Sequence, residues 1–418
     1  MMKVSKAETV KKYGIEIDRI VRTVRKWMTE SEQVPSDDEI LTKCEDEFFG
    51  SEISLDMTSH ETVMIIDSLR SRLSGRYGIL TGLLEDTLIN EIMVNGPDRI
   101  FVEREKVLVR VDDAFTSCEE LEEMIRMFAS DVHREINEAN PIVDARLPSG
   151  FRVNGVLRNI ALNGPILTIR KFREKEIEME ELVGCASLSR ECAEDLAALV
   201  RSGYNVFISG GTSSGKTTFL NALTAYIGSD ERVITIEDSA ELVISHIENK
   251  VQMECRAANS IGKGEVSMTQ LIRTSLRMRP DRIIVGEVRG KEVIDMIQAM
   301  NTGHDGSMST GHGNSIKGML NRLETMYLSD SNVSVSSVRN QIANAIDIFV
   351  HLRRDANGRR YVEEVAEMTD FDGTDYKLNY LYKAGEDGML KATGNRLCDR
   401  ERLIRCGYDN MMTGRITA

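Results

Sequence analysis

A strand that runs without interruption into a phosphate-cradling loop, and from there into a helix, constrains this chain more than any other feature. Asn205-Val-Phe-Ile-Ser209 is apolar, Gly210-Gly-Thr-Ser-Ser-Gly-Lys-Thr217 follows, and the next residues place Phe219, Leu220, Leu223 and Ile227 on one helical face before Gly228. The pattern G-x-x-x-x-G-K-T between a strand and a helix is a P-loop. Gly210, Gly211 and Gly215 let the backbone N–H groups turn inward around phosphate oxygens, with Thr212, Ser213, Ser214 and Thr218 completing the cradle. Lys216 sets a point charge on the β- and γ-phosphates, and the Thr217 hydroxyl reaches Mg²⁺. The helix directs its positive N-terminal end at the same anion. ATP and Mg²⁺ are therefore the expected ligands.

Composition narrows the partners. The formal net charge is −14, where proteins that hold nucleic acid by its phosphates carry a basic excess, so no direct nucleic-acid partner is expected. Aromatic residues are 5% of the chain, which argues against base stacking as a binding mode. The 7 cysteines are scattered and form no C-x-x-C pair, as in reduced thiols of a cytoplasmic protein. The N-terminal residues lack an apolar signal core, and no apolar run approaches the ~18 residues that span a bilayer. Membrane contact is expected only through partners.

The chain divides into four stretches. Residues 1–73 read as helical, with Ile15, Ile20, Val21, Val24 and Trp27 as an apolar stripe and Ser36/Glu39 as a capping box. A small bundle and a partner-docking arm fit this stretch equally. Residues 74–172 mix strands and helices without a βαβ rhythm, which predicts a compact α+β domain, with a second capping box at Thr116/Glu119. Residues 173–186 are charged and read either as a linker or as a solvated helix. Residues 187–418 alternate helices with buried strands, including Val233-Ile-Thr-Ile236 and Ile283-Ile-Val285, which predicts a mostly parallel α/β sheet covered on both faces. Antiparallel strands are expected over 360–368 and 376–382.

Active groups in such a sheet gather at the carboxyl ends of its strands. Glu237, Asp238 and Glu241 lie at one such end, where acids hold Mg²⁺ through water and position a hydrolytic water. Val285-Gly286-Glu287-Val-Arg289 ends another and resembles a Walker B element with Gly-Glu in place of Asp-Glu. Thr302-Gly-His-Asp-Gly-Ser-Met-Ser-Thr-Gly-His312 carries His304 and His312 in a Gly/Ser/Thr-rich run. Its spacing does not suit zinc, and a report on the γ-phosphate fits better.

The order of these segments resembles the secretion ATPase superfamily of type II and type IV secretion and type IV pili. Glu91-Ile-Met-Val-Asn-Gly-Pro-Asp98 and Arg146-Leu-Pro-Ser-Gly-Phe-Arg-Val-Asn154 resemble its CpaF/TadA tight-adherence branch. The resemblance implies a RecA-like P-loop ATPase domain preceded by a PAS-like α+β domain and an N-terminal helical segment. It implies Glu241 as general base, with Glu237 and Asp238 beside it, and Glu287 as the Walker B acid on Mg²⁺ through water. One of His304 and His312 would contact phosphate. Arg152 and Arg170 would reach phosphate from the smaller domain, with Arg146 able to substitute for either. It also implies a homohexamer at the inner face of the cell membrane, acting on an inner-membrane platform protein to drive Tad-type pilus assembly or secretion. A hexameric DNA translocase and a nucleotide-sensing scaffold are the rival classes.

Overall fold

The structure is a computed structural model that describes residues 5–31, 35–55, 57–73, 75–104, 107–132, 134–171, 177–256, 258, 263–331, 333–385 and 388–408. The chain forms two compact units, Met1–Glu174 and Lys175–Ala418.

The first unit opens with helices α1 (Lys6–Glu30), α2 (Asp37–Phe49) and α3 (Ser59–Leu73). The Ser36/Glu39 capping box is present as the sequence predicts. Within α1 the backbone leaves helical values at Tyr13 (φ −112, ψ 17). Ile15, expected in the buried stripe, is 90% exposed, and Ile17 takes the inward position. Val10, Ile17, Ile20 and Val24 pack with Phe48, Ile65, Leu69 and Ala114.

The α+β layer follows: α4 (Thr81–Glu85), β1 (Ile89–Asn95), β2 (Ile100–Arg104), β3 (Val107–Arg110), α5 (Cys118–Asp131), β4 (Ile142–Arg146), β5 (Arg152–Val156) and β6 (Ile166–Arg170). Its strands form an antiparallel sheet in the order β3-β2-β1-β6-β5-β4. Leu121, Ile125 and Phe128 of α5 close one face over Ile92, Val94, Val153 and Leu167. The predicted cap of α5 is displaced by one residue. Ser117 Oγ accepts from the Glu120 N–H at 3.2 Å, while the Thr116 N–H donates to Glu120 Oε2 at 2.6 Å.

The helical segment and the α+β layer share one unit, so residue 73 marks no break in packing. Buried Arg72 donates to the Ala114 carbonyl and, through Nε, to Glu120 at 3.1 Å. Lys6 pairs with Asp113 at 2.7 Å, and Thr116 Oγ1 donates to Asp18 at 2.6 Å.

The second unit begins with α6 (Met179–Gly184) and α7 (Arg190–Arg201). Residues 173–176, part of the expected linker, lie outside the described residues. Met179 is 3% exposed and belongs to the core of this unit, so α6 is a packed helix where the sequence offers a linker or a solvated helix. The strands are β7 (Val206–Gly210), β8 (Val233–Glu237), β9 (Lys250–Glu254), β10 (Arg282–Val288), β11 (Met308–His312), β12 (Ile348–Arg354), β13 (Arg360–Phe371), β14 (Tyr376–Ala384) and β15 (Leu390–Ala392). The helices are α8 (Lys216–Thr224), α9 (Met268–Ser275), α10 (Glu292–Met300), α11 (Ile316–Leu328), α12 (Val335–Ala345) and α13 (Glu401–Arg405).

One sheet runs β15-β14-β13-β12-β7-β11-β10-β8-β9. The run from β12 to β9 is parallel and the run from β12 to β15 antiparallel. Side chains alternate between two cores because successive residues of a strand point to opposite faces. Val206 and Ile208 meet α7 and α8 on one side, and Phe207 meets α10, α11 and α12 on the other. Every residue of β7 and β8 is buried, so the strands that bear the P-loop and the acidic turn are covered on both faces.

Candidate nucleotide site

The parallel strands deliver their functional residues to a single edge of the second unit. Gly210 ends β7 and pairs laterally with His312, the last residue of β11. Glu237 ends β8, and Glu287 is the penultimate residue of β10. Between Gly210 and Lys216 the backbone makes two left-handed steps, Ser213 at φ 59 and Gly215 at φ 94. Such steps aim successive N–H groups into one concavity, an anion nest. Gly210 is required by close approach, since a Cβ there would stand 2.6 Å from the Leu352 carbonyl oxygen and 2.5 Å from Ser214 Oγ. Ser214 Oγ is buried in the loop with no hydrogen-bond partner.

Lys216 is 7% exposed and donates to the carbonyls of Gly210 at 3.3 Å and Gly211 at 3.2 Å. It also stands 3.1 Å from His312 Nδ1. An ammonium carries only donors, so Nδ1 presents its lone pair and the ring proton sits on Nε2. Nε2 lies 2.8 Å from Glu287 Oε1. That approach is off the line of a hydrogen bond, and Oε1 is buried without an aligned partner. Burial holds Lys216 below the usual lysine range, opposed by the attraction of Glu287. Burial and the Lys216 charge together hold His312 below the ordinary histidine value, again opposed by Glu287. Both effects keep His312 neutral at physiological pH.

The acidic turn is built differently from its sequence reading. Glu237, expected beside the nucleotide, is 3% exposed and accepts from the N–H groups of Glu241 at 2.8 Å and Leu242 at 3.1 Å. Its role is to hold the turn that presents Glu241. Asn221 Oδ1, one turn into α8, accepts from the Val243 N–H at 2.9 Å, and Gln252 Nε2 donates to the Leu242 carbonyl at 3.1 Å. Sequence reasoning missed both residues. Their only signal is position, one turn past Thr217 and midway along β9.

The Gly-Glu of the Walker B-like element also has a steric cause. A Cβ at Gly286 would stand 2.8 Å from Glu237 Cγ, so glycine at 286 is what lets Glu237 pass behind β10.

The structure separates the two histidines. His304 precedes β11 at its amino end, where Nδ1 contacts the Ala299 carbonyl at 3.1 Å at the end of α10. The strand between the histidines rises roughly 13 Å, so His304 does not join the P-loop and His312 alone does. Two further residues missed by the sequence reading border the site. Arg289 bonds Glu287 Oε2 at 2.8 Å, and Asp238 Oδ2 stands 3.4 Å from its other nitrogen. His351, 2% exposed on β12, contacts Ser209 Oγ at 2.8 Å on the P-loop strand.

In the first unit, Arg146, Arg152 and Arg170 stand side by side across β4, β5 and β6, with Arg152 in register with both others. Like charges in directly opposed cross-strand positions repel.

A P-loop in the middle of a parallel sheet, with acids on nearby strand ends and a neutral histidine on the lysine, defines a P-loop ATPase of the RecA-like class. The family described as "Type II/IV secretion system protein" matches residues 76–382, and the chain belongs to this family of secretion ATPases. It is 33% identical over 314 residues to the conjugal transfer protein TrbB of Rhizobium radiobacter, spanning 73% of this chain and 92% of that one. It is 32% identical over 303 residues to the type IV secretion system protein PtlH of Bordetella pertussis, spanning 66% and 89%. Among solved structures it is similar to the Legionella pneumophila ATPase DotB, with a TM-score of 0.51 at 22% identity over 69% of this chain and 79% of that one. It is likewise similar to the pilus retraction motor PilT with bound ADP, with a TM-score of 0.52 at 20% identity over 72% and 82%. These two likenesses establish the fold.

Proposed function

We propose that this secretion ATPase is a Mg²⁺-dependent ATP hydrolase that works as a homohexamer, at the inner face of the cell membrane, on an inner-membrane platform protein of a Tad-type pilus or related secretion system. The observation that carries the hydrolase reading is the chain of contacts Lys216–His312–Glu287 beneath the P-loop. The machine-level reading rests on the family, on relatives named for conjugal transfer and type IV secretion, and on the resemblance of residues 91–98 and 146–154 to the CpaF/TadA branch. Among the described residues no helix is long and apolar enough to cross a membrane.

The residues fit a magnesium ion. Glu287 Oε1 is buried without an aligned donor, as an acceptor for a metal-bound water would be, and Thr217 lies in the first turn of α8. Thr217 and, through water, Glu287 would hold the ion, which would supply charge neutralisation for phosphoryl transfer. The chain's own groups do the rest. Lys216 exchanges its two loop carbonyls for phosphate oxygens. His312 donates from its protonated nitrogen. Glu241, held by Glu237 and by the pinned backbone of Val243, accepts the proton of the attacking water. The resemblance assigns Arg152 and Arg170 to the terminal phosphates, which suits a guanidinium fork whose anion loses charge on hydrolysis.

Phosphate release by purified full-length chain, with and without Mg²⁺, tests the reading alongside the hexamer mass. Lys216→Ala should abolish release while changing the melting temperature little, since the desolvation of the buried ammonium offsets its bonds to the Gly210 and Gly211 carbonyls. Glu241→Gln should keep ATP binding and lose about 10²–10⁴ in turnover. Arg170→Ala should bind ADP normally and lose most turnover. Release by Lys216→Ala at the parent rate would refute the site. Stimulation of release by DNA, but not by platform-protein fragments, would favour a translocase.

A further inference from the structure

Arg289 has no part in the scheme above, and it occupies a chemically loaded position. Its guanidinium donates to Glu287 Oε2 at 2.8 Å, and its second arm stands 3.4 Å from Asp238 Oδ2. It therefore bridges the ends of β10 and β8, adjacent parallel strands. Glu241 lies within its electrostatic reach as well. The base of the side chain is fixed, because Glu292 Oε1 accepts from the N–H groups of both Arg289 and Gly290. The side chain is 57% exposed. Its charge is felt by Lys216, and both cations act electrostatically on the same carboxylate, Glu287.

We propose that Arg289 is a built-in counter-cation that competes with the divalent cation for Glu287, and so sets how much Mg²⁺ the site needs. This rests on the nucleotide-site reading above. A guanidinium shares two carboxylates through its fork, as a divalent cation shares them through its charge. With no cation bound, Arg289 neutralises Glu287 and Asp238 and keeps the acids from repelling the nucleotide. When the cation arrives, Arg289 gives up Glu287 and retains Asp238. It acts as a positioning residue, since it touches the acids and not the reacting atoms.

Binding of a fluorescent ADP analogue to the full chain, in EDTA and across stepped Mg²⁺ concentrations, measures this without any turnover. In Arg289→Gln the affinity in EDTA should fall about 10-fold, in line with loss of a charge-assisted hydrogen bond. Its Mg²⁺ midpoint should move to lower concentration by a similar factor. Arg289→Lys keeps the charge but cannot fork, and should fall between the two. Asp238→Asn, an exposed change that leaves folding alone, should shift the midpoint the opposite way, because Arg289 is then committed to Glu287. Parent-like midpoints in Arg289→Gln and Asp238→Asn would overturn the proposal and leave Arg289 a surface ion pair. Failure of the parent chain to bind the analogue at any Mg²⁺ concentration would instead overturn the nucleotide site itself.

Discussion

At the residue scale, the site depends on side chains whose value comes from what they stand against. Glu237 lies in an acidic run that reads as phosphate chemistry, yet its carboxylate is spent on two backbone N–H groups. Gly286 reads as a departure from the usual Walker B pattern, yet it is the clearance that Glu237 requires. Gly286→Ala should therefore cost about 1–3 kcal/mol, the usual range for overpacking, because Glu237 is held and cannot yield cheaply. Its turnover should fall further than its stability, since a displaced Glu237 releases the turn that carries Glu241. Thermal unfolding and phosphate release on the same samples check this. Unchanged values in both would show that Glu237 repacks without consequence. His304 and His312 teach the same lesson. They share one motif, and the strand between them takes them to opposite ends of the sheet.

At the element scale, the P-loop helix does more than present Lys216. Through Asn221 it grips the acidic turn at Val243, so α8 and the end of β8 are mechanically coupled. Asn221→Ala removes one hydrogen bond worth about 1 kcal/mol. Amide exchange over residues 238–246 should speed up while that of β7 stays protected. Equal protection in parent and variant would place the restraint elsewhere, on Gln252 or Glu237. The caps show how far local signals carry. The Ser36/Glu39 box forms as read, because both partners are local. At α5 the cap moves to Ser117, while the Glu120 side chain turns to the Thr116 N–H and to Arg72 from a distant helix.

At the scale of the whole molecule, the helical stretch is not an appendage. Ala114, fully buried, belongs to the core formed by α1, α2 and α3, and Arg72 is bonded across to the α+β layer. Deleting residues 1–70 should therefore unfold or strongly destabilise the remainder of the first unit. The second unit has its own two cores and should keep its nucleotide-dependent stabilisation. Calorimetry of the truncated chain, with and without ADP, distinguishes the outcomes. Two unshifted transitions would mean the helices are a separate arm, as their sequence alone permits.

What the sequence determined by itself is what local chemistry encodes. The P-loop, the buried strands at 206–210 and 233–237, the C-terminal antiparallel strands and the candidate acids are all legible because strand, glycine turn and helix follow one another within a few residues. Tertiary structure decided which of those residues meet. Glu237 turned inward, His304 fell at the wrong end of its strand, Arg289 came to bridge two acids, and Arg146, Arg152 and Arg170 lined up across three strands. The physical reason is that, apart from Glu237 holding the turn just after it, these arrangements join residues from different strands, or opposite ends of one. Strand order and register, which no local pattern specifies, set those distances.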